Sequence, residues 1–164
     1  FHGPGIKLSQ FKIEGPFYDD WPPASFRAVY GSDTIPDLAD PAARTAVVQH
    51  FARRAFRRPI QPVETQPYLK FSESKHAAGN DWHEALIDTL AAMMTSVDFL
   101  YIIEGSSSQG KPTNAKTLNP HELAARLSYF LWSSTPDDEL LRLAGEGKLG
   151  YPAVLAAQVK RFFF

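Results

Sequence analysis

Asp137, Asp138 and Glu139 stand side by side in the run His121 to Leu141, HELAARLSYFLWSSTPDDELL, which also holds Tyr129 and Trp132. Adjacent carboxylates can act as general acid and base or gather calcium, and two aromatics close by can offer a stacking platform to a sugar. A second chemical cluster is Arg53, Arg54, Arg57 and Arg58, four guanidiniums close enough to attract an anion. The histidines are His2, His50, His76, His83 and His121, and none of them forms HxxxH or HExxH. His76 and His83, with Asp81 between them, are geometrically conceivable zinc ligands.

Each of these readings has a structural competitor. Thr135-Pro136-Asp137-Asp138 is also how an ordinary helix begins, with acids beside the positive end of its dipole. Arginines near a helix C-terminus complement that dipole without binding anything. His83 falls in the first turn of a capped helix, Asp19 and Asp20 suit a turn, and Met93 and Met94 suit gaps in a core better than a haem or copper site. The serines of Gly105 to Thr117 form no G-x-S-x-G elbow. The expectation is therefore no metal site, with Asp137, Asp138 and Glu139 as acid/base candidates. Tyr129 and Trp132 are candidates for ligand binding, and Arg53, Arg54, Arg57 and Arg58 for an anion.

The elements that must position these groups read as helices from Asp40 onward. Asp40-Pro41 is a cap followed by a first-turn proline, and Val48, Phe51, Ala52, Ala55 and Phe56 then share one face, with Arg53, Arg54 and Arg57 on the other. Pro59 ends this helix. Pro62 and Glu64 begin another, which Pro67 is expected to break within two turns unless it starts at Thr65. Asp81 and Glu84 open a core helix with the stripe Trp82, Leu86, Leu90, Met93, Val97, Leu100 and Tyr101. Asn119, Pro120 and Glu122 open the next, with Leu123, Leu127, Phe130 and Leu131 as its stripe and Tyr129 and Trp132 turned away from it. Thr135-Pro136 starts a further helix that Gly145 and Gly147 end, and Pro152 starts the last, with Val154, Leu155, Val159 and Phe162 as its apolar side.

The N-terminal part reads differently. Ile6 and Leu8, then Phe11 and Ile13, alternate with polar residues as a strand would, with a change of parity between them that suits a bulge or turn. Tyr18 to Phe26, with Pro22 and Pro23, reads as irregular linker. The fold expected is mainly α, a multi-helix bundle or array with a short N-terminal β/extended segment. Its parts would be an extended segment over 1–39, the tail of an upstream β-rich module, and a helical domain over 40–104. A polar connector over 105–118 would lead to the start of a second helical domain over 119–164, truncated.

Composition narrows the function classes. Among 164 residues, 17 basic against 18 acidic side chains give a formal net charge of −1, which argues against the positive field of a non-specific nucleic-acid binder. The 44% hydrophobic content is that of a globular chain. Without cysteine there is no disulfide framework and no CxxCH haem attachment in this stretch. The longest apolar run, Phe99 to Ile103, is far short of the roughly 20 residues a membrane-spanning helix needs. The opening on Phe1 and the close on Phe162, Phe163 and Phe164 read as cuts, so a fragment of a longer protein is expected.

FARRAFRRP at Phe51 to Pro59, LAAMMTSVDFLYIIE at Leu90 to Glu104 and ELAARLSYFLWSSTPDDELL at Glu122 to Leu141 resemble, in this order and at these distances, the helical domains of unknown function of planctomycete-type secreted multidomain proteins. The resemblance runs from about Asp40 to the end. The opening IKLSQFKIEGPFYDDWPP resembles the segment that there joins a β-rich, carbohydrate-binding-like module to the helical part. The resemblance implies a secreted or periplasmic protein whose partners are neighbouring domains of the same polypeptide and polysaccharide. No cofactor is implied in this stretch, while a neighbouring domain would carry haem c. It assigns no catalytic residue. The function expected is a non-catalytic scaffold or interaction region; the alternative is part of an extracytoplasmic carbohydrate-active enzyme that uses the clustered carboxylates.

Overall fold

The computed structural model describes residues 10, 12–15, 17–102 and 118–163, and among these the protein is helical, without a β-sheet. The expected mainly α bundle is what forms. The helices are α1 (Ala24–Tyr30), α2 (Pro41–Ala55), α3 (Pro62–Ala77), α4 (Trp82–Met94), α5 (Val97–Leu100), α6 (Pro120–Trp132), α7 (Asp138–Gly145) and α8 (Pro152–Phe163). No helix among the described residues is long and apolar enough to cross a membrane.

The helix starts follow local chemistry. Asp40 accepts the N–H groups of Ala42 and Ala43, at 3.0 and 3.2 Å, ahead of the first-turn Pro41. Asp81 and Glu84 form a reciprocal capping box, as do Asn119 and Glu122. Each such cap satisfies donors that the first turn leaves without helical partners, worth about 1 kcal/mol apiece. At the other end of α7, Gly147 takes φ +67°. There the N–H of Lys148 reaches the Leu143 carbonyl and that of Gly147 the Ala144 carbonyl, turning the chain toward the buried Leu149.

Two hydrophobic clusters result. In the first, Val47, Val48, Ala52, Ala55 and Phe56 of the α2 region meet Leu86, Leu90 and Met93 of α4, with Tyr68 and Leu69 of α3 packed against them. α2 packs on α1, α3 and α4, and α3 also lies along α4. In the second, Ala124 of α6 meets Leu140, Leu143 and Ala144 of α7 and Leu149, with Val154 and Leu155 of α8 alongside. Full burial of each aliphatic side chain contributes roughly 1.5–3 kcal/mol.

Six details depart from the sequence expectations. A helix, α1, begins directly after Pro23, because a proline pair restricts the residues before it and not those after. Residues 10 and 12–15 have no regular secondary structure, and Ile6, Leu8 and Phe11 lie outside the described residues, as does the expected connector apart from Leu118. Pro67 sits within α3 without ending it. It is exposed and forfeits one bond to the carbonyl of Val63, while Glu64 Oε2 accepts the Gln61 N–H at 2.7 Å and Tyr68 and Leu69 anchor the later turns of the helix.

The long stripe from Trp82 to Tyr101 is cut. Ser96 Oγ donates to the Met93 carbonyl at 2.7 Å and caps a new helix, so Val97, Leu100 and Tyr101 are exposed. On α6 the buried positions are Glu122, Ala124, Ala125 and Ser128, while Phe130 is 83% exposed; α7 starts at Asp138, two residues later than Thr135-Pro136 suggests.

Replacing the exposed Pro67 with alanine restores the α3 hydrogen bond and removes a ring from the helix. Pro67→Ala is expected to raise stability by about 1–3 kcal/mol in equilibrium urea unfolding, and an unchanged or lower midpoint would contradict this account of α3.

Candidate functional site

The residues with chemical capacity converge where the end of α2 and α5 meets α6 and α7. Arg57 follows the last residues of α2 in the left-handed region, φ +60°, and is only 5% exposed. Its Nη2 donates to the carbonyls of Asp98 at 2.6 Å and Tyr101 at 2.9 Å. Its Nη1 donates to the Phe99 carbonyl at 3.0 Å and the Tyr129 hydroxyl at 3.3 Å. A guanidinium has five N–H donors, and these bonds use four of them, on partners from both sides of the seam.

Arg54, one turn back, crosses the same seam, with Nη1 3.0 Å from both carboxylate oxygens of Asp138. Arg58 turns the other way, to Glu64 at 2.7 Å and Asp98 at 3.2 Å. The four arginines therefore do not form one anion site. Arg54, Arg57 and Arg58 are bonded within the chain, and only Arg53 makes no hydrogen bond or ion pair among the described residues.

Each of the three acids is held by an arginine. Asp137 caps α7 by accepting the Leu140 N–H at 2.9 Å and pairs with Arg161 of α8 at 2.6 and 3.2 Å. Burial pushes its carboxyl up, yet the Arg161 bond, the Leu140 N–H and the charges of Arg161 and Arg54 together hold it below the usual range. Asp138 pairs with Arg54, and Glu139 with Arg142 at 2.8 Å. The Arg142 hydrogen bond also holds Glu139 below its ordinary value. A general acid working near neutrality needs the opposite shift.

Tyr129 and Trp132 likewise have partners. Arg57 lies 5.9 Å from the Tyr129 ring centroid and Arg161 5.8 Å from that of Trp132, so each aromatic is met by a different cation. His76 stacks on Trp82 at 3.8 Å with Arg44 3.7 Å from the same indole, His83 approaches the Tyr30 hydroxyl, and Asp81 caps α4. Among the described residues no three His, Asp or Glu side chains come together as a metal site.

Two adjoining cavities open along the seam and share Arg58 and His121. One, of about 450 Å³, is lined by Arg57, Asp98, Asn119 and Glu122 among others; the second, of about 690 Å³, by His50, Arg53 and Arg142 among others. His121 is the group that sequence reading missed. Its Nδ1 is buried without a hydrogen-bond partner, and burial first, then the charge of Arg53, push its pKa down. Its second helical position in α6 gave no sign of this, because the seam that buries it comes from α2.

Residues 43–104 match the family model described as Protein of unknown function (DUF1595), PSD5, and residues 118–163 match that of Protein of unknown function (DUF1592), PSD4. Together the matches span about two thirds of the chain. No curated protein and no solved structure matches it.

Removing the Arg57 guanidinium leaves three carbonyls and a hydroxyl without their donor at a buried position of the seam. Arg57→Met is expected to cost about 3–5 kcal/mol by chemical denaturation, and Tyr129→Phe about 1 kcal/mol. Arg57→Lys should not rescue, since an ammonium lacks the planar fork. A loss below 1 kcal/mol in Arg57→Met would remove Arg57 from its linking role.

His121 titrates against folding. With a folded pKa below the ordinary 6.5, the unfolded chain takes up the proton first as pH falls. The contribution is nil above pH 6.5, turns destabilising through that value, and levels off below the folded pKa. Urea midpoints at pH 7.5 and 5.5 should converge in His121→Gln relative to the parent; an unchanged difference would exclude the residue.

Proposed function

Because the chain belongs to the families of unknown function DUF1595 and DUF1592, consistent with planctomycete-type secreted multidomain proteins bearing cytochrome c domains, we propose that it is a helical scaffold that positions neighbouring modules of one polypeptide. The observation that carries this reading is how its reactive groups are used. Asp137, Asp138, Arg54 and Arg57 are bonded across helix contacts of the chain itself and Glu139 pairs within α7, whereas large apolar side chains such as Phe17, Trp21 and Phe130 stay more than 70% exposed. Exposed apolar side chains of this kind are what a docked neighbouring module would cover.

In this proposal residues 40–104 and 119–164 are two helical units, the second continuing downstream, and 1–39 connects to a β-rich module upstream. The setting is periplasmic or extracellular, haem c sits in an adjoining domain and serves electron transfer, and polysaccharide is the material that the assembly handles. These assignments draw on the family context and on the resemblance carried by FARRAFRRP and HELAARLSYFLW.

The test mixes the chain with the adjoining modules of its own polypeptide, produced separately. A saturable complex by titration calorimetry is expected, together with no release of reducing ends from polysaccharide by the chain. Reducing-end release that disappears in Glu139→Gln, with the fold intact by circular dichroism, would replace the scaffold with the carbohydrate-active enzyme.

A further inference from the structure

We propose that the larger cavity, between α2 and the α6–α7 pair, binds a phosphate or sulfate monoester of a small molecule, anchored by Arg53 with Arg58, Arg142 and His121 around it. The first ground is charge. Three guanidiniums line this cavity and no carboxylate does among the described residues, in a chain whose net charge is −1. The positive lining is thus a local arrangement of side chains from separate elements.

The second ground is donor supply. Arg53 is exposed on α2 and makes no hydrogen bond or ion pair among the described residues, so all five of its donors remain. Arg58 bonds Glu64, Asp98 and the Pro59 carbonyl through its terminal nitrogens, which leaves its Nε–H and one Nη1–H; Arg142 holds Glu139 and Glu146 by three bonds and keeps two donors. The carboxylates that hold Arg58 and Arg142 fix these side chains in place without lining the cavity. His50 also lines it, but its Nε2 is already 3.2 Å from the Ala28 carbonyl and is not counted.

His121 supplies the third ground. The residue lines the cavity and its buried Nδ1 has no partner, so a turn of the ring would bring that nitrogen to an ester oxygen or hydroxyl. The same Arg53 charge that helps keep this imidazole neutral would be offset by a bound anion. Planar guanidiniums match a tetrahedral oxyanion better than an ammonium does, and no lysine lines the cavity. Its volume of about 690 Å³ is several times that of a free oxyanion, which points to an ester with a body attached.

The test is calorimetric titration of the chain at low ionic strength with glucose 6-phosphate, glucose 6-sulfate and inorganic phosphate. Saturable binding of an ester, weakening as salt rises, is expected, and which ester binds tighter identifies the head group. Arg53→Gln should weaken it on the order of tenfold or more, while Lys70→Gln, which removes the same charge from the exposed face of α3, should leave it unchanged. Melting of Arg53→Gln should equal the parent's, since no bond is lost; if it does not, Arg53→Lys, which keeps the charge and lacks the planar fork, should bind the ester more weakly than the parent. Equal loss in Arg53→Gln and Lys70→Gln, no saturation with either ester, or inorganic phosphate binding as tightly as the esters would each overturn the proposal.

Discussion

The buried guanidinium of Arg57 joins the two hydrophobic clusters, and its partners are backbone carbonyls and a tyrosine hydroxyl instead of a carboxylate. α5 ends at Leu100, so the carbonyls of Asp98 and Phe99 have no helical donor, and that of Tyr101 lies just beyond. They carry the partial negative charge of a helix terminus, and Arg57 meets them while its remaining bond reaches Tyr129 across the seam. A buried charge left unpaired would cost several kcal/mol, which makes this arrangement close to all or none. The Thr95-Ser96 break starts α5 as a separate helix, and its end at Leu100 presents these carbonyls to Arg57.

The divergence of the arginines has the same origin. Along an unbroken helix, Arg53 and Arg57 would sit one above the other on one face, four residues apart. α2 stops at Ala55, and the left-handed backbone at Arg57 sends that side chain inward. Arg53 stays outside beside the cleft, Arg54 reaches across to α7, and Arg58 reaches back to α3 and α5. One short basic run thereby serves three helix contacts and a cavity wall.

The acids complete the seam from the other side. Asp137 ties the start of α7 to α8 and Asp138 ties it to α2, while the arginine bonds hold the Asp137 and Glu139 carboxyls below their ordinary values. The surface pair of Arg54 and Asp138 is worth at most about 1 kcal/mol, so it sets orientation more than stability. The buried contacts of Arg57 and the apolar clusters supply the energy.

Most helices were legible in the residues because caps and apolar periodicity are local: Asp40-Pro41, Asp81 to Glu84 and Asn119 to Glu122 each begin a helix where short-range hydrogen bonds demand one. Tyr129 and Arg57 could be singled out as unusual, yet their meeting, 72 residues apart, could not be read. Pro67 and the Ser96 break show the limit even within elements, since whether a helix survives a proline or yields to a serine depends on what packs beside it. Local chemistry determined the elements and their ends. Tertiary structure alone decided which arginines are buried, which acids are paired and that His121 is left without a partner at Nδ1, because burial and pairing depend on distances between helices that no short-range pattern encodes.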